Sequence, residues 1–320
     1  MMNATSLLGP FMEQHLELRR SLGFILHNAE YALTEFDRYL ARSFPHAKTV
    51  TRPMVTGYLQ TLTHLEGTTL RDRIIHLRQF SRFLFQLDPD TYIPERNLIP
   101  PARTIRTPHI YTEDEAKKLI GAALGLPPAE SLRPYTYATL LSLLWVSGVR
   151  IGEALRLNIE DVNPESRLLH IRESKFFKSR LVPLADSSLS ALEEYRVRRS
   201  TCKPDAKPDS PFFVNTRGRR CNYRTVHATF LALSRQLAFK TIQGRDPRLH
   251  DFRHTFATRY LSRIYHTGKD PGAVLPLLAT YLGHANITNT QTYLHPDFTL
   301  LEQSGQRFHG YAQGGAYEGH

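Results

Sequence analysis

The sequence predicts a mainly α-helical fold with a small antiparallel β-sheet, split by a linker into an N-terminal all-α domain and a C-terminal α+β domain. Three observations carry this. Apolar residues recur at helical spacing through most of the chain. Residues 168–172 and 180–184 are short alternating segments that read as two strands joined by a turn. Pro89, Pro94, Pro100, Pro101 and Pro108 interrupt the helical pattern over one stretch, which reads as an extended linker at 89–109.

The first domain, residues 1–88, shows two apolar faces at helical spacing. Leu16, Leu18, Leu22 and Phe24 outline one, and Ala32, Leu33, Phe36 and Leu40 the other. Pro53 sits at a helix start, where a missing N–H costs nothing. Residues 70–87 (LRDRIIHLRQFSRFLFQL) alternate apolar and basic residues, and Arg71, Arg73, Arg78 and Arg82 line a face suited to phosphates or simply to water. The linker adds Arg103 and Arg106. The second domain, residues 110–304, opens with a capping box at Thr112 and Glu115. Residues 137–147 are strongly apolar and read as a buried helix, and 212–215 as a third strand. Residues 305–320 form a glycine-rich tail with the composition of a flexible end.

Length and composition narrow the class. A chain of 320 residues accommodates two domains, and 41% hydrophobic residues suffice for two cores. No run of 18 or more apolar residues occurs, so no membrane partner is expected. The first twenty residues lack the basic start and apolar stretch of a secretion signal. Two cysteines, Cys202 and Cys221, exclude a disulfide scaffold and a cysteine-rich zinc site, and fit a reducing cytoplasm. A formal charge of +11 favours a polyanionic partner, because each cation that meets a phosphate releases a counterion.

Four segments hold residues with chemistry to offer. In LHDFRHTFATRYL, His250 and Arg253 are three apart and share a helical face. His250 and His254 have the spacing of two zinc ligands, but Asp251 stands where a zinc protease needs glutamate, so no metal is expected. In GHANITNTQTYLH, Tyr293 follows His284 by nine residues; its phenol, with an ordinary pKa near about 10, needs neighbouring positive charge to act as a nucleophile. Leu282-Gly283-His284 is alternatively an ordinary glycine-capped helix end. SGVRIGEALRL places Arg150 at a helix start, free to present a donor fork to phosphate or to pair with Glu153. SKFFKSRLVPL puts Lys175 and Lys178 in the turn between the strands.

Taken in order, arginine, turn lysine, H-x-x-R, and L-G-H followed by tyrosine resemble the tyrosine recombinase (phage integrase) family. The resemblance spans roughly residues 110–300, with the helical region before it similar in pattern to the family's core-binding domain. It implies a site-specific DNA recombinase that works through a covalent 3′-phosphotyrosine, without metal or other cofactor. Arg150 and Arg253 resemble the two arginines that clamp the scissile phosphate, Lys175 the general acid and His250 the histidine that assists proton transfer. His284 matches a donor to a phosphate oxygen, Tyr293 the nucleophile, and Glu153 and His254 supporting positions. Serine and phenylalanine flank Lys175 where many relatives have glycines, which leaves Lys178 as its rival. The implied partners are double-stranded DNA carrying specific recombination sites and further protomers in a synaptic tetramer, in the cytoplasm on the nucleoid. A topoisomerase-like relaxing enzyme and an inert DNA-binding relative are the alternatives.

Overall fold

The computed structural model describes residues 3–24, 26–99, 107–172, 179–202, 206–267 and 270–283. The chain divides into two compact units between Ile105 and Arg106.

The described part of the first unit contains α1 (Gly9–Ser21), α2 (His27–Ser43), α3 (Arg52–Thr61) and α4 (Gly67–Phe85). Its core is the stripe Ala29, Leu33, Phe36 and Leu40 of α2, packed with Leu8, Met12 and Leu16 from α1 and Leu77, Phe80 and Leu84 from α4. The α2 face is therefore as the spacing predicts. The α1 face is not: Leu18, Leu22 and Phe24 are exposed. Buried positions on α1 run at steps of four through Leu8, Met12 and Leu16, and Leu18 lies about 200° around the helix from Leu16. Leu22 and Phe24 fall beyond the helix end at Ser21. Pro53 occupies the first turn of α3, as expected.

On α4 the same angular arithmetic separates the arginines. Arg71, Arg78 and Arg82 lie within about 40° of one another, whereas Arg73 points to the opposite side. There its guanidinium sits 4.4 Å from the ring centre of Tyr31. The four therefore do not share one face, and Arg78 already donates to the carbonyl of Pro94.

That contact also corrects the linker. Residues 89–99 fold onto the first unit: Tyr92 N donates to Val50 O at 2.8 Å, Thr91 and Thr49 share a hydroxyl bond of 3.0 Å, and Tyr92 and Leu98 pack on the core. The prolines there shape a packed turn. At the other end, His109 Nε2 lies 3.3 Å from Glu115 in the second unit. Residues 100–106, including Arg103 and Arg106, lie outside the described residues.

The second unit begins with α5 (Glu113–Leu124), whose capping box between Thr112 and Glu115 forms as the sequence predicts. Then comes α6 (Arg133–Ser147), strongly apolar and mostly buried because it packs against α5, α8 and α10. It ends at Gly148 in the left-handed conformation, φ +60°. A Cβ there would come within 2.6 Å of Phe256. The next elements are α7 (Ile151–Arg156), a short 3-10 turn, and strands β1 (Val162–Asn163), β2 (Leu168–Ile171) and β3 (Arg180–Pro183). The sheet is antiparallel in the order β1-β2-β3, with Leu168 opposite Pro183 and Ile171 opposite Arg180. The expected strand at 212–215 does not form. Phe212 and Phe213 are both fully buried and pack at a tilt against Tyr195, leaving no solvent face for a strand, and only isolated bridges remain at Pro211 and Val214. The third strand is Val162–Asn163.

Helices α8 (Asp186–Cys202), α9 (Tyr223–Gln236), α10 (Asp251–His266) and α11 (Pro271–Leu282) complete the described unit. Leu275, Leu278 and Leu282 of α11 pack on Ala257 and Leu261 of α10, and α11 also touches β3. Among the described residues no helix is long and apolar enough to cross a membrane. The tail at 305–320 lies outside the described residues.

Candidate active site

Three arginines from three elements converge on the last turn of α11. Arg150 is the N-cap of α7, held there by a backbone bond to Glu153 Oε2 at 2.9 Å. Its Nη2 donates to Gly283 O at 3.1 Å and its Nη1 reaches Leu282 O at 3.5 Å. Arg253, on the first turn of α10 and only 1% exposed, donates through Nη2 to the same Leu282 O at 2.5 Å. Its Nη1 donates to Gly148 O at 3.0 Å. Arg180, the first residue of β3, donates through Nε to Tyr281 O at 2.8 Å. The terminal carbonyls of a helix carry partial negative charge, so cations gather there naturally. Gly283 ends α11 in the left-handed conformation, φ +68°, the glycine cap that the sequence allowed.

Glu153 organises the cations. It is almost fully buried and accepts from Arg150 Nη1 at 2.8 Å and from Arg180 Nη1 and Nη2 at 3.0 and 2.8 Å. Burial pushes its carboxyl up, but the Arg180 fork and then the Arg150 backbone N–H and guanidinium more than reverse this, to about 2. Glu153 is ionised at neutral pH, so the cluster holds three cations against one anion. That surplus suits a phosphate group.

His250 caps α10 beside this cluster and meets His254 edge-on, ring centres 5.0 Å apart. Burial, then His254 and the nearby arginines, depress His250 to about 4. His254 is likewise at about 4, lowered by burial and raised a little by Asp251. Both imidazoles are neutral at physiological pH, so each keeps a lone pair that can accept a proton. Asp251 is engaged by Arg248 at 2.8 Å and is not placed as a metal ligand. Among the described residues no group of three metal-ligating side chains occurs.

Residues 110–299 match the phage integrase family. The chain belongs to that family. It is similar to the y4rB protein of Sinorhizobium fredii, named for an integrase/recombinase: 37% identical over 303 residues, covering 92% of this chain and 95% of that protein. It is also 29% identical over 312 residues to the tyrosine recombinase XerC of Pelobacter propionicus, covering 94% of this chain and 96% of that one. In fold it is like the XerH site-specific recombinase crystallised with a palindromic difH substrate in a post-cleavage complex, with TM-score 0.65 and 21% identity over 88% of this chain and 79% of that one. The integrase is thus a tyrosine-type site-specific recombinase, an enzyme of DNA strand breakage and rejoining.

Of the sequence-derived site residues, Arg150, Glu153, His250, Arg253 and His254 lie together in the second unit of the recombinase. Lys175, Lys178, His284 and Tyr293 lie outside the described residues. Tyr281 is the tyrosine of the described residues that stands at the cluster, and its phenol is a poor nucleophile. Its ring stacks on Phe256 and burial raises its hydroxyl to about 12, despite Arg180 and Arg253 nearby.

Two residues were missed. Arg180 looks like any cation opening a strand, and its burial against Glu153 emerges only when β3 meets α7. Arg220 donates to the carbonyls of Leu155 and Leu157 at 2.7 and 3.1 Å and to Asn158, fastening the end of the short helix that Arg150 begins. The alternation of RLVPL, which puts Arg180 on the same inward face as Val182 and Leu184, was the faint signal for Arg180; Arg220 had none.

Proposed function

We propose that Arg150 and Arg253 clamp the scissile phosphate of a duplex recombination site while Tyr293 attacks it. The supporting observation is that both guanidinium groups reach Leu282 O, two residues before His284 and eleven before Tyr293. The bond from Tyr293 oxygen to phosphorus forms as the bond to the 5′ oxygen breaks, leaving a 3′-phosphotyrosine. Lys175, or its rival Lys178, protonates the departing 5′ oxygen. Neutral His250 takes up the phenolic proton. Proton transfers of this kind contribute about 10²–10⁴-fold each. Arg150, Arg253 and His284 stabilise charge on the nonbridging oxygens, usually the largest single contribution. A 5′ hydroxyl from a second strand then attacks the phosphotyrosine and completes the exchange.

The two guanidinium groups take the place of a metal ion, so no cofactor enters. Arg71 and Arg82 on one side of α4, with Arg103 and Arg106 of the linker, contact the DNA backbone and set position without reading sequence, while Arg78 is held to the carbonyl of Pro94. Arg73, turned to Tyr31, is left out of that set. Four protomers assemble on two sites, on the nucleoid of the cytoplasm.

The test is Tyr293→Phe on a nicked suicide duplex carrying the recombination site. Covalent protein–DNA adducts disappear while DNA affinity stays unchanged. Undiminished adduct yield removes Tyr293 from the role.

A further inference from the structure

We infer that Arg180 is a positioning residue of the recombination reaction, joining Glu153 to the last turn of α11 and so setting the aim of Arg150. This role rests on the assignment of Arg150 and Tyr293 above and adds a residue to that site.

Every part of the Arg180 guanidinium that faces the site is engaged. Nη1 and Nη2 grip the two oxygens of Glu153 at 3.0 and 2.8 Å, and Nε donates to Tyr281 O at 2.8 Å. The side chain is 11% exposed and that of Glu153 2%. Exposed ion pairs matter little, but a buried carboxylate that loses one cation must be compensated by another. The other cation is Arg150, which shares Glu153 Oε1 at 2.8 Å. Without Arg180, Glu153 draws Arg150 into a two-pronged pair of its own, the geometry that carboxylate and guanidinium prefer. Arg150 Nη2 then leaves Gly283 O and turns away from the phosphate position.

Arg180 also ties together pieces that must agree in position. It stands two residues after Lys178 in the chain, and it grips α11 three residues before His284. There is little slack in this joint, since a Cβ on Gly283 would come within 2.9 Å of Arg180 Nη1. Only arginine supplies a fork for the carboxylate and a third donor for the carbonyl; lysine, a point charge, can serve one partner or the other.

The experiment uses full-length R180K on the nicked suicide duplex, with adduct rate at saturating protein, DNA affinity and the unfolding midpoint all measured. Charge beside Glu153 is retained, so affinity stays near that of the unaltered chain and the midpoint falls less than in Glu153→Gln. The adduct rate falls on the order of 10²-fold, the usual cost of a small misplacement of a reacting group. In an E153Q background the same change costs little more, because Arg180 acts through Glu153. Should R180K fail to fold, the paired apolar variant R180M/E153M keeps the volume and removes the two most buried charges together, leaving Arg150, 27% exposed, to water; it folds and cleaves slowly. An adduct rate in R180K equal to the unaltered chain's, full additivity with E153Q, or rapid cleavage by R180M/E153M overturns the role. A chain that forms no adduct at Tyr293 sinks the site assignment instead, and the two failures are told apart by the unaltered chain and Tyr293→Phe run alongside.

Discussion

Replacing Glu153 with glutamine keeps its shape and removes the one anion among three cations. The carboxyl accepts from the Arg150 backbone at 2.9 Å, from the Arg150 guanidinium at 2.8 Å and from both Arg180 prongs. Burial alone raises it, and the arginines bring it down to about 2 from an ordinary 4.5. At about 1.36 kcal/mol per pH unit, that difference corresponds to roughly 3 kcal/mol of folding stability. The folded value lies below the unfolded one, so the contribution is complete above pH 4.5 and fades as pH falls towards about 2. Half of it has gone near about pH 3.2. Glu153→Gln therefore lowers stability by roughly 3 kcal/mol at neutral pH, a fall in midpoint of about 6–12 °C for a domain of this size. Denaturant unfolding followed by circular dichroism, at pH 7 and again near about pH 3.2, reads both quantities. Superimposable curves at pH 7, or a gap that does not narrow in acid, refute the reasoning.

Gly283→Ala strains a left-handed cap and presses a methyl to within 2.9 Å of Arg180, costing about 1–2 kcal/mol and slowing adduct formation more than it weakens DNA binding. Gly121→Ala on α5, where a Cβ meets nothing within 4 Å, is the control and stabilises by about 0.5–1 kcal/mol. A Gly283→Ala chain with unaltered melting contradicts the packing described. On the proposed mechanism adduct formation proceeds at full rate in excess chelator, with Arg150 and Arg253 in place of a metal ion; strict dependence on added divalent metal, measured on the same suicide duplex, contradicts the two-arginine clamp.

Local signals carried most of the fold. The apolar stripe of α2, the capping box at Thr112 and Glu115, the strongly apolar α6 and the paired strands each depend on near neighbours, so spacing alone reports them. Where a decision depended on distant packing, spacing misled. Leu18 and Leu22 fit a helical face but α1 ends and faces otherwise, and Phe212 and Phe213 fit a strand but are swallowed by the core beside Tyr195. The prolines at 89 and 94 marked a break in the helix without revealing that the chain beyond it packs back on Val50. Of the candidate site residues, Arg150, Glu153, His250 and Arg253 come together in the fold, and each sits at a helix start whose local pattern is distinctive. Arg180 was barely legible for the opposite reason. Its partners, Glu153 and Tyr281, are 27 and 101 residues away and come from other elements.

The most direct test of the two-arginine, one-tyrosine site is mass-spectrometric mapping of the covalent adduct formed on the suicide duplex. A nucleotide-bearing peptide modified at Tyr293, absent from chains carrying Arg150→Ala or Arg253→Ala, is the predicted result. A modification at Tyr281 or any other residue, or an undiminished adduct after loss of either arginine, contradicts it.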